Sequence, residues 1–287
     1  MALDFTITEY AAYNLLHEFD PEKKGFLSKA RFYKAIYVLN QRLKKRKIDI
    51  RLPWRWYIFG PVVELEQIDQ SVFMASTEQS AEREEDEPKT HIFYNERPDV
   101  TGLETATKTA IDYEIRRLAK ENPSTRELIN IVYGGAPIPF IPLLKNYDDW
   151  IHSDGVGKDA FGQFDRMRLQ LIAKYPRDFF PQSYGVFLRL LDFTERDLSS
   201  SKPDIGELAD LARQSRSMMG QGFSTKFYEY VAEDVTRQCE TRFFSDIQGL
   251  SHQIYEKEAK RLETPLRNRV PMYEELEQLL DASYRSA

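Results

Sequence analysis

Leu27 to Val63 reads LSKARFYKAIYVLNQRLKKRKIDIRLPWRWYIFGPVV. Ser28 is placed to cap a helix, because its hydroxyl can accept from a free amide of the first turn. Phe32, Ile36, Leu39 and Leu43 follow at helical spacing as one apolar stripe, flanked by Tyr33 and Tyr37. The helix runs out through Arg42, Lys44, Lys45, Arg46 and Lys47, and cations suit the negative end of a helix dipole. Pro53 breaks the pattern, and the aromatic run Trp54 to Phe59 predicts a strand. Gly60 and Pro61 then suit the N-cap and first position of a further helix, Pro61 to Gln70. Helix, basic exit, strand and helix is the order of the middle of a winged-helix domain.

The expected fold class is therefore mainly α. An N-terminal winged-helix-like domain with a small β-hairpin (residues 1–98) precedes a C-terminal helical bundle with one long helix (residues 99–287).

Charge is segregated along the chain. From Lys23 to Arg55 there are twelve Lys/Arg and one acid, Asp49, whereas the whole chain carries −6. Such a cluster can neutralise phosphates, which makes Arg42, Lys44, Lys45, Arg46, Lys47, Arg51 and Arg55 the candidate nucleic-acid contacts. The competing interpretation is a solvated helix end. The expected third helix, PVVELEQIDQ, carries Glu64, Glu66 and Asp69 and no base, so phosphates would repel it from a major groove.

KARFYKAIYVLNQ (Lys29 to Gln41) and WYIFGPVV (Trp56 to Val63) resemble the Panacea family of winged-helix antitoxin domains, over at most the first hundred residues. The resemblance implies an antitoxin-like role in a toxin–antitoxin system, exercised through partners.

At 287 residues, 41% hydrophobic and 30% charged, the chain has the composition of a globular protein of one or two domains. No 18-residue apolar run predicts a membrane span, and MALDFTITEY lacks the features of a secretory signal. A single cysteine, Cys239, fits a reducing cytoplasm. It falls on an apolar stripe, which predicts a core position and not a nucleophile.

Thr6 and Glu9 have capping-box spacing ahead of a first helix, with Ile7, Tyr10, Ala11, Leu15 and Phe19 inward. Asp20, Glu22 and Gly25 echo a calcium loop, but Lys24 and Arg31 occupy two ligand positions, so no calcium is expected. SVFMAS (Ser71 to Ser76) and THIFYN (Thr90 to Asn95) predict a hairpin whose tip holds six acids and two bases. That tip reads as an exposed loop, or as a lure for a basic partner or a mask over the basic cluster.

Thr101/Glu104 and Ser124/Glu127 predict capping boxes for helices ending near Glu121 and Tyr133. The proline- and glycine-rich segment 134–158 predicts an ordered loop. Within it Asp149 and His152 would share a face if helical, but no second histidine or cysteine is near. Helices are then expected over Phe161 to Tyr175, Ser183 to Leu198 and Ile205 to Met219, the last interrupted by Gly220 and Gly222. One long helix from Ser224 to about Leu262 and a last one, Met272 to Tyr284, complete the expectation.

No phosphate loop, zinc set or serine elbow occurs, so no enzyme and no cofactor are expected. Two roles remain from the sequence. One is a non-enzymatic regulator touching duplex DNA, as a homodimer. The other is a protein-interaction subunit that docks a partner through the winged helix and the long helix.

Overall fold

The computed structural model describes residues 6–21, 27–68, 100–153, 159–200 and 202–263, with the backbone of two strands at 73–78 and 89–94. The expected acidic tip, the last helix and part of the calcium-like turn lie outside the described residues.

The chain is mainly helical, with a small antiparallel sheet in its N-terminal part and a helical bundle behind it. Helix α1 (Thr6–Phe19) buries Tyr10, Ala11 and Leu15 as its spacing demands. Helix α2 (Lys29–Lys45) begins as read, with the Ser28 hydroxyl accepting from the Arg31 amide at 3.3 Å. Phe32, Ile36, Leu39 and Leu43 are all fully buried.

Strand β1 (Trp54–Tyr57) follows, but the predicted helix at Pro61 does not form. Gly60–Val63 is strand β2, paired antiparallel with β1 so that Tyr57 faces Gly60 and Trp54 faces Val63. The reason is local. Gly60 takes φ +99°, a left-handed setting that reverses the chain after Ile58 and Phe59. Val62 and Val63 are β-branched, and Pro61 is tolerated because β2 is an edge strand. Among the described residues, a short 3-10 turn (Leu65–Gln67) follows β2 where the rest of the third helix was expected. The second hairpin is present, β3 (Phe73–Glu78) against β4 (Lys89–Tyr94), within two residues of its reading.

Helix α3 (Thr105–Glu121) starts four residues after Thr101, and its N-cap Glu104 makes no side-chain cap bond, so that capping box is absent. Asn122 ends α3 in a left-handed conformation. Helix α4 (Thr125–Gly134) has the full Ser124/Glu127 box. The segment read as a loop contains α5 (Phe140–Ile151). Its prolines do not forbid this: Pro139 caps the helix and Pro142 falls in the first turn, where no amide is needed.

Helices α6 (Ala160–Lys174), α7 (Pro181–Leu198) and α8 (Ile205–Lys226) follow. Gly220 and Gly222 do not interrupt α8. They allow close packing: a Cβ on Gly220 would lie 2.6 Å from Ile58 Cγ1, and one on Gly222 would lie 2.9 Å from the Phe243 ring. The expected continuous helix from Ser224 is broken at Phe227. Tyr228–Glu229 becomes β5, pairing with Trp54 and Arg55, and α9 (Glu233–Glu263) starts afterwards. Edge hydrogen bonding to β1 stops the helix, although no proline or glycine does. At 31 residues α9 is about 46 Å long, and it lies back along α8 and α7.

Sheet order is β2-β1-β5, so strands from both halves of the sequence share one sheet. The Trp56 and Tyr133 rings meet edge-on at 5.8 Å, and Ser224 donates to the Trp56 carbonyl at 2.7 Å. One hydrophobic core runs from α1 to α9.

Candidate nucleic-acid interface

The seven predicted contacts divide into two sets. Arg42 pairs with Glu121 of α3 at 2.5 Å, and this hydrogen bond holds the Glu121 carboxyl below the usual range. Arg46 pairs with Glu114 at 2.6 Å and lies 4.8 Å over the Tyr113 ring. Lys44 bonds Glu229 of β5. Arg55 pairs with Glu64 at 2.5 Å and donates to Ser224 at 2.9 Å. These four cations tie the N-terminal elements to α3, α8 and the α8–α9 connection. Glu64, read as part of a repulsive recognition helix, is a partner of Arg55 instead.

Lys45, Lys47 and Arg51 form the second set. All three side chains are exposed, and none meets a carboxylate among the described residues. Lys45 is the last residue of α2, and Lys47 and Arg51 stand on the loop that follows, whose backbone is fixed. Lys47 and Arg51 have φ of 64° and 51°, a left-handed setting that costs a non-glycine residue on the order of 1–3 kcal/mol. That setting persists because neighbouring bonds hold it. Asp49 accepts from the Arg51 amide at 3.0 Å and from the Tyr230 hydroxyl. The bond to Asp49 raises the Tyr230 pKa. Thr8 donates to the Ile50 carbonyl at 2.5 Å, and Ile50 and Leu52 are fully buried anchors. The loop therefore presents its cations from a rigid base.

The Asp149/His152 pairing is not what forms. Asp148, one residue earlier, is buried and bonded to the buried Arg216, which also donates to the Ile58 carbonyl at 3.1 Å. His152 accepts at Nε2 from Arg213 at 3.0 Å, so its Nδ1 carries the proton given to the Asp148 carbonyl at 2.8 Å. This network fastens the hairpin turn to α5 and α8. Nothing in the sequence marked Arg216, which lies 68 positions beyond Asp148. Cys239 is buried in α9.

Sequence reasoning also passed over Arg116 and Lys120 of α3. Both are exposed, and neither meets a carboxylate among the described residues. The signal available was their i, i+4 spacing, which places two cations on one helix face.

Among the described residues, no group of His, Cys, Asp and Glu is arranged to hold a metal, and no helix is long and apolar enough to cross a membrane. No family model, curated protein or solved structure matches the chain.

Proposed function

We propose that the chain is a non-enzymatic regulatory protein that contacts the phosphate backbone of duplex DNA through Lys45, Lys47 and Arg51. The observation carrying this reading is that three exposed cations, at the end of α2 and on the fixed loop after it, make no ion pair among the described residues. Arg42, Lys44, Arg46 and Arg55 belong to the scaffold under this reading, because their charges are balanced within the molecule. With a strand and a 3-10 turn in place of a recognition helix, binding is expected to be weakly sequence-dependent. An antitoxin-like regulator, the role implied by the resemblance of the first hundred residues, fits such backbone contact.

The test is a salt titration of binding to a labelled 20-base-pair duplex. Three phosphate contacts give a slope of log K against log salt of about −2.7, or roughly 40-fold weaker binding between 50 and 200 mM salt. K45A/K47A/R51A should abolish both affinity and slope. Absence of wild-type binding at 50 mM salt, or an unchanged slope in the triple variant, refutes the reading.

One observation favours a second reading, a protein-docking subunit. Phe59 is 64% exposed at the β1–β2 turn, with the Arg216 guanidinium 4.8 Å from its ring. An aromatic held out on a fastened turn is the form of an interface anchor. Under this reading F59A releases a partner that co-purifies with the wild type, and a partner retained by F59A rules it out.

A further inference from the structure

A cleft of about 640 Å³ runs along the outer face of α3, lined by Thr109, Asp112, Tyr113, Arg116, Arg117 and Lys120. Thr109, Tyr113, Arg116 and Lys120 recur at i, i+4, i+7 and i+11, so they form one stripe. Among the described residues, three cations against one carboxylate give the lining a net charge of +2.

The residues differ in how far they are engaged. Arg117 is paired with Glu121 at 3.1 Å and lies 3.9 Å from Glu114. Asp112 accepts from the Tyr10 hydroxyl at 2.9 Å. Arg116 and Lys120 are exposed and meet no carboxylate among the described residues. Tyr113 is 54% exposed, and the Arg46 guanidinium covers part of its ring at 4.8 Å. Arg46, the chain neighbour of Lys45 and Lys47, lies over Tyr113, so the basic exit of α2 borders this face of α3.

An exposed aromatic ring among cations is more than phosphate binding requires. Cations alone hold a phosphate, whereas a ring offers a surface on which a base can stack. Aromatic platforms set in a positive groove are how proteins hold single strands. In a duplex the bases are stacked on one another and out of reach of such a ring.

We infer that the α3 cleft takes an unpaired nucleotide, its base against Tyr113 and its flanking phosphates on Arg116 and Lys120. This rests on the proposed function and extends it to DNA with an unpaired stretch, which would reach the cleft from Lys45, Lys47 and Arg51.

The experiment compares three labelled ligands on the full chain by fluorescence anisotropy: a dT20 strand, an abasic 20-mer carrying the same phosphates, and a 20-base-pair duplex. The dT20 strand should bind more tightly than the abasic strand. Y113A should weaken dT20 by about 5- to 150-fold, the range for loss of one base–aromatic stack, while Y113F keeps most of the affinity. R116A/K120A should reduce the dT20 salt slope by about 1.4, from two phosphate contacts on a single strand. Duplex binding should be indifferent to Y113A.

Equal binding of dT20 and the abasic strand overturns the inference, as does a Y113A variant that binds dT20 like the wild type. If the duplex still binds in a K45A/K47A/R51A-dependent way, the proposed function survives that failure. Conversely, Tyr113-dependent dT20 binding with no duplex binding at 50 mM salt supports the cleft and sinks the duplex reading. No binding of any ligand at 50 mM salt overturns both.

Discussion

Arg46→Ala tests whether the basic exit of α2 is scaffold or contact surface. The Glu114 side chain is 3% exposed; its Oε1 meets Arg46 at 2.6 Å, and its Oε2 has no hydrogen-bond partner. Removing Arg46 leaves a buried carboxylate whose one remaining cation among the described residues is Arg117, at 3.9 Å. Breaking a fully buried pair from one side costs about 3–5 kcal/mol. Arg46 is 44% exposed, so water screens its charge, and a cost of roughly 2 kcal/mol is the reasoned figure. With an m-value of about 3 kcal/mol/M in urea, the unfolding midpoint falls by roughly 0.7 M.

The complementary variant is asymmetric. Glu114→Gln removes the buried charge while keeping an acceptor for Arg46, which can also turn to water, so its cost is about 1 kcal/mol or less. R46M/E114L, with no charge left to bury, should lie within about 1 kcal/mol of the wild type. Urea unfolding followed by far-ultraviolet circular dichroism measures all three. An R46A midpoint within 0.2 M of the wild type, or a larger loss for E114Q than for R46A, would refute the reasoning. The duplex salt slope should not change in R46A at a salt and temperature where it is folded.

Other predictions concern the core. Gly220→Ala should destabilise by roughly 1–2 kcal/mol, because its new methyl meets Ile58 Cγ1 at 2.6 Å and the Ile58 amide at 3.0 Å. Gly249→Ala is the control, gaining up to about 1 kcal/mol from helix propensity, since nothing lies within 4 Å of its Cβ. Equal effects of the two in thermal unfolding would show that close packing is not why α8 keeps its glycine. Lys34 is buried in α2, makes no ion pair among the described residues, and has its pKa lowered by desolvation. Between its folded pKa and 10.5 the unfolded chain holds more protons, so its contribution to stability rises with pH across that window. Lys34→Met should therefore be more stable than the wild type at pH 7, with an advantage that shrinks toward pH 10.5. Taking the difference between the two proteins removes the opposing effect of Tyr37 and Tyr147, both pushed up to about 12 by burial. A difference that does not vary with pH would contradict the argument.

The stripe Phe32, Ile36, Leu39 and Leu43, the Ser28 cap and the Ser124/Glu127 box were legible because each depends on residues within a few turns. The mainly helical class followed from the same local signals. Errors fell where two local outcomes were close in free energy. A glycine–proline step suits a helix start or a hairpin edge, and only pairing of β2 with β1 decides for the edge. Prolines near residue 140 suit a loop or a first helical turn, and the buried face of Phe140, Leu144 and Tyr147 decides for the helix.

The chain by itself determined that a dense run of positive charge leaves α2, with one acid among twelve bases. It did not determine which of those charges face water. Arg42 meets a carboxylate 79 positions away, and Lys44 meets one 185 positions away. Ionic attraction acts through space, at separations of a few ångströms, so no reading along the chain reveals it. Only tertiary packing separated the four scaffold cations from Lys45, Lys47 and Arg51, because folding alone brings distant carboxylates within reach.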